Sequence, residues 1–144
     1  MNVLVLYQSR NGHTHDVAEA IADVAEDQYH SVKIKSVIEV HQTDVDRADV
    51  VFVGTWVHGL IVFGVRPAEA ELWVPRLPSL EGKPVGIYCT YAFSPRHSLD
   101  TLAEMLVEKG AIVVGQQAFH RNRTRDGADQ FVNRVLQFGK RELA

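Results

Sequence analysis

The sequence is short of several features that would narrow its function at once. Of its 144 residues only Cys89 is a cysteine, so no intramolecular disulfide framework and no cysteine-rich zinc site can form. Cys89 closes the apolar run Val-Gly-Ile-Tyr-Cys. A small core hydrophobe is expected there, because a redox thiol needs exposed, electropositive surroundings. No stretch approaches the roughly 18 consecutive apolar residues of a membrane span. The first apolar run is short, has no basic segment before it and meets Ser-Arg-Asn-Gly at once. No secretory signal is read there, and the protein is expected in the cytoplasm. Charge of one sign is not in excess either: 15 basic and 18 acidic residues give a formal net charge of −3. A nucleic-acid partner is therefore not expected, since its footprint is a strongly basic face.

What is present is the composition of one globular α/β domain spanning residues 1–144, with 46% hydrophobic and 23% charged residues. β-Branched runs recur at residues 3–7, 32–37, 50–54, 85–88 and 111–114. The first, third and fourth are nearly continuous apolar stretches, as in central parallel strands covered on both faces. The second alternates apolar and polar residues, which marks an edge strand. Helical stripes fill the gaps. Val17, Ala18, Ile21, Val24 and Ala25 make one stripe, and Leu99, Leu102, Ala103, Leu106 and Val107 another, stopped by Lys109-Gly110. Ala128, Phe131, Val132, Val135 and Leu136 make the last, with Gly139 after it. Residues 67–73 read as a short helix opened by Pro67 and closed before Pro75, with Trp73 structural. Residues 41–47 are too short and polar to assign. Strands alternating with helices imply right-handed crossovers and a doubly wound sheet.

Ser9-Arg10-Asn11-Gly12-His13-Thr14 stands between the first strand and the first helix. Short hydroxyl and amide side chains with one glycine can fold backbone N–H groups around an anion, and the helix adds its positive dipole end. Ser9, Asn11 and Thr14 can each donate to phosphate oxygens. The loop has no lysine, so Arg10 is its one candidate for extra charge. The nucleoside-triphosphate signature G-x-x-x-x-G-K-[ST] is missing, as is G-x-G-x-x-G. The competing reading is an ordinary turn in which Ser9, Asn11 or His13 caps the helix.

This loop resembles that of the flavodoxins, T/S-x-T-G-x-T, with Ser9, Gly12 and Thr14 matching and Asn11 in place of a threonine. The resemblance spans nearly the whole chain. It implies a flavodoxin-like five-stranded parallel sheet of order 2-1-3-4-5 with helices on both faces, non-covalent FMN and electron transfer. Thr55-Trp56-Val57-His58-Gly59, after the third strand, looks like the family's threonine-tryptophan-x-x-glycine loop, in which Trp56 would stack on the flavin. In the fourth-strand loop, Thr90-Tyr91-Ala92-Phe93, either Tyr91 or Phe93 would cover the other face, and backbone groups would meet the pyrimidine edge. The long insertion that splits the fifth strand in larger members is missing.

The chain also departs from the family's acidic surroundings for the flavin. His13, His15, His58, Arg66, Arg96 and His97 lie in or beside these loops, and positive charge there would favour reduced flavin. The basic stretch 119–125 follows the fifth strand and could face an acidic partner, the phosphate of NAD(P)H, or solvent. Three functions follow from the resemblance: an FMN electron carrier served by a redox partner protein, a small FMN-dependent NAD(P)H or quinone-type reductase, and a binding domain that has lost FMN. A histidine metal site is not expected, since His13 and His15 would point to different helix faces. The acidic residues of a phospho-receiver and the G-x-S-x-G elbow of a hydrolase are missing.

Overall fold

Apolar runs too rich in valine and aromatic residues to favour helix become parallel strands, and the 3.6-period stripes between them become the covering helices. The computed structural model describes residues 1–9, 12–58, 66–67, 70–94 and 97–143. In chain order the elements are β1 (Asn2–Tyr7), α1 (His13–Asp27), β2 (Ser31–Ser36), α2 (Gln42–Arg47), β3 (Val50–His58), β4 (Arg66–Pro67), α3 (Ala70–Trp73), β5 (Pro84–Tyr91), α4 (Ser98–Glu108), β6 (Ile112–His120) and α5 (Ala128–Leu143). Five strands pair in parallel in the order β2-β1-β3-β5-β6. This is the expected 2-1-3-4-5 order once the two-residue β4, antiparallel on the end of β3, is set aside.

The period of two sends alternate strand residues to opposite faces, each with its own core. Val3, Val5, Phe52 and Tyr88 face α1 and α5, where Val17, Ile21, Phe131, Val132 and Val135 are buried. Leu4, Leu6, Val51, Val53, Val85 and Ile87 face the other way and pack with Trp73, Leu80, Leu102 and Leu106. Full burial of such a side chain contributes ~1.5–3 kcal/mol, so both layers hold the strand ends in fixed relative positions.

Several expectations from the sequence need correction. Pro67 does not open a helix: it pairs with Val57 in β4, the helix starts at Ala70, and Pro75 sits inside a 3₁₀ turn, Val74–Arg76. Gly139 is not a stop but an interior residue of α5, where a Cβ would run into the Val50 side chain. Val107 lies off the buried stripe of α4 and is 55% exposed. The last strand starts at Ile112 and runs on to His120, so buried Phe119 belongs to the sheet and not to the loop after it. The unassigned stretch 41–47 supplies α2.

Candidate functional site

The carboxyl ends of β1, β3, β5 and β6 are joined by contacts between their loops. Gln8 N–H donates to the Gly54 carbonyl at 2.9 Å, and the Thr55 hydroxyl donates to Gln8 Oε1 at 2.6 Å, tying β1 to β3. The buried hydroxyls of Thr14 and Thr90 lie 2.9 Å apart and tie the start of α1 to the end of β5. Arg121 N–H donates to the Tyr91 carbonyl at 2.9 Å, so the turn after β6 lies against the fourth-strand loop. His120 holds the same loop: its Nε2 is 3.0 Å from the Ala92 carbonyl, and its Nδ1 accepts the Asn122 N–H at 3.1 Å. Because Nδ1 accepts, Nε2 carries the proton that reaches Ala92. The His120 ring also stands edge-on to Tyr91, 5.4 Å between centroids.

These loops border an open cleft lined by Ser9, His13, Thr14, Trp56, Val57, Thr90, Tyr91, Ala92 and Arg121. Gly12 precedes α1 at φ +88°, a left-handed conformation costly for other residues, and its N–H donates to Ser9 Oγ at 3.0 Å. The N–H groups of the first turn of α1, which have no partner within the helix, thus open beside the hydroxyls of Ser9 and Thr14. Trp56 and Tyr91 line the same cleft. Among the described lining residues there is no carboxylate.

Eight of the residues singled out in the sequence therefore meet at one cleft, and others do not. Phe93 is 80% exposed and absent from the described lining. Thr55 is fully buried and occupied with Gln8. His58 ends β3. Arg10, Asn11, Gly59 and Arg96 lie outside the described residues. Of the basic side chains expected around the ring, His13 lines the cleft, whereas His15 pairs with Glu19 at 3.3 Å and meets the Tyr7 ring, and exposed His97 lies 4.0 Å from Asp100. The sequence reading missed Arg121 as a site residue. It saw a basic stretch, but ended the strand too early to see that this arginine is the first residue beyond it.

The buried groups behind the cleft supply no nucleophile. Burial pushes the Cys89 thiol up to about 12, and burial again holds the Tyr88 phenol well above its ordinary value. Tyr88 donates to the Leu6 carbonyl at 2.9 Å and acts as a tie across the sheet.

A doubly wound sheet, with hydroxyls beside the start of the first helix and aromatic residues in one cleft at the strand ends, is an architecture suited to a phosphorylated, flat-ringed cofactor. The profile of the flavodoxin domain family matches residues 4–118, and the chain belongs to that family. It is an FMN-binding, electron-transferring flavodoxin-like protein. Its fold is similar to two-electron reduced flavodoxin from Megasphaera elsdenii, at 20% identity, covering 91% of this chain and 98% of that one, with a TM-score of 0.72. It is similar to oxidised flavodoxin 2 from Bacillus cereus, at 20% identity, 96% and 99% coverage and a TM-score of 0.75. The rubredoxin oxygen:oxidoreductase of Desulfovibrio gigas contains the same fold, with 19% identity and a TM-score of 0.71 over 99% of this chain and 37% of that one. Comparison with curated protein sequences gives no match. Among the described residues no helix is long and apolar enough to cross a membrane.

Proposed function

We propose that the FMN phosphate is held by the Ser9–Thr14 turn, including Arg10, Asn11, Gly12 and His13, and that the ring lies between Trp56 and Tyr91. The observation that carries this reading is the meeting of Ser9, Thr14, Trp56 and Tyr91 at one cleft, although they come from loops up to 82 residues apart. Hydroxyls and helix N–H groups at one end suit a phosphate, and the two aromatics suit a flat ring. Tyr91 is preferred to Phe93 as the second ring contact, because Tyr91 lines the cleft and Phe93 stands out from it. The Thr55–Gly59 and Thr90–Phe93 loops supply backbone groups to the ring edge, with Thr55 acting through Gln8.

When bound, FMN supplies one- or two-electron chemistry. The chain's own residues orient it and set the charge around it. Electrons come from a redox partner protein or a reduced nicotinamide and go to a redox partner protein, with the protein at work in the cytoplasm. Exposed Phe93, next in sequence to the cleft residue Ala92, favours the protein partner, since aromatic residues are enriched at interfaces.

The test is an absorbance and fluorescence titration with FMN of the native chain and of Thr14→Leu. The expected result is bound yellow flavin with quenched fluorescence in the native protein. The variant, having lost a hydroxyl in the cleft and the Thr90 contact, is expected to bind at least tenfold more weakly. Equal affinities would remove Thr14 from the phosphate site. Failure of the native chain to bind at tens of micromolar FMN would overturn the electron-transfer reading.

A further inference from the structure

We infer that Arg121 sets the redox potential of the site by favouring the reduced, negatively charged ring over the oxidised, neutral one. The inference rests on the FMN reading above. Three observations carry it.

The first is placement. Arg121 follows β6 directly, and its N–H is fixed to the Tyr91 carbonyl at 2.9 Å. The residue lines the cleft together with Tyr91 and Ala92. Between the ends of β1 and β6 lie three strand spacings, about 14 Å along the sheet. Arg121 therefore lines the cleft beside Tyr91, to which its backbone is tied.

The second is charge. Among the described lining residues Arg121 is the one permanent cation, and no carboxylate is there to neutralise it. No ion pair to Arg121 is formed among the described residues, whereas Arg125 on the same turn is paired with Asp23 at 3.0 Å. Arg121 is itself exposed, so its effect on charge in the cleft is that of a partly solvent-screened cation.

The third is the chemistry of the cofactor. Two electrons from a reductant such as dithionite, with one proton from water, convert the neutral ring to a monoanion. The second proton, which would neutralise it, stays in solution. A cation beside the ring lowers the free energy of that anion and barely alters that of the neutral ring. By linkage, the residue can move the potential only by the factor by which it discriminates between the two states.

The experiment measures dissociation constants for oxidised and for dithionite-reduced FMN anaerobically, together with the two-electron midpoint potential by dye equilibration. The proteins are the native chain, Arg121→Gln, Arg121→Lys and Arg123→Gln. In Arg121→Gln the oxidised constant is expected to stay within twofold and the reduced constant to rise about tenfold, which lowers the potential by about 30 mV. Arg121→Lys should keep most of the native value, and Arg123→Gln, outside the described lining, should leave it unchanged. Equal weakening of both redox states would overturn the inference, because it places Arg121 on the phosphate, which has the same charge in both. No change in either constant would overturn it as well. Failure of the native chain to bind FMN in either state would instead sink the underlying reading, and the oxidised titration separates that result from the others.

Discussion

At the scale of single residues, two neighbours on adjacent strands illustrate how little room the site's foundation leaves. Gly54 on β3 is paired in register with Tyr88 on β5, and a Cβ at position 54 would overlap the tyrosine ring. The ring thus lies over the glycine and reaches past β3, so that its hydroxyl meets the Leu6 carbonyl of β1 at 2.9 Å. One side chain spans three strands just below the turn that leads into α1. Gly54→Ala forces the ring aside in a close-packed layer, and the expected loss is about 3 kcal/mol, near the upper end for overpacking. Adding Tyr88→Val removes the obstacle, so the double variant should lose less than the sum of its single changes. Urea denaturation of the three variants checks this; a neutral Gly54→Ala would show that the ring does not need the space. The sequence gives no hint of the pairing, since the register that joins these residues is a property of the folded sheet.

At the scale of elements, the long periodic segments were legible and the short ones were not. Strands β1, β3 and β5 announce themselves because burial on both faces demands unbroken apolar runs. Their ends do not, because Trp56 and Tyr91 continue the strands while already belonging to the cleft. Helix α2 escaped notice for a physical reason: six residues with Val45 as their one apolar side chain carry no stripe, and the element depends on tertiary contacts. Its anchor is Asp44, whose carboxylate accepts the His41 N–H at 2.9 Å, Lys35 Nζ at 2.9 Å and Lys33 Nζ at 3.1 Å. The backbone bond from His41, followed by the Lys35 contact, holds the carboxyl far below the ordinary carboxylate value. A group lowered on folding contributes stability above its unfolded value, near 4, and the contribution is lost as pH falls from there towards the folded value. The stability advantage of the native chain over Asp44→Asn should therefore be full near neutrality and shrink below about pH 4. Urea midpoints between neutral and acid pH measure it, and a gap independent of pH would contradict the assignment.

At the scale of the whole molecule, the site is where loops distant in sequence are brought to one edge. That Ser9, Thr14 and Trp56 lie at the strand ends was legible in the sequence, because each follows or ends a recognisable strand. The sequence left Tyr91 and Phe93 undecided and passed over Arg121, because which side chain enters a cleft depends on exposure and strand length. The assembled edge also makes cofactor binding a property of the entire fold. The Thr14–Thr90 and Thr55–Gln8 contacts exist only when β1, β3 and β5 are aligned, so the unfolded chain has no comparable site. A ligand that binds the folded state alone stabilises it by about 2.7 kcal/mol at one hundred times its dissociation constant. For a chain of this size each kcal/mol raises the melting temperature by about 2–4 °C, so FMN at that excess should raise it by roughly 5–10 °C. Riboflavin presents the same ring without the phosphate, and therefore leaves the Ser9–Thr14 turn unused. At equal concentration it should raise the melting temperature much less. If riboflavin matched FMN, the strand-to-helix turn would contribute nothing to affinity, and binding would have to come from the aromatic end of the cleft alone.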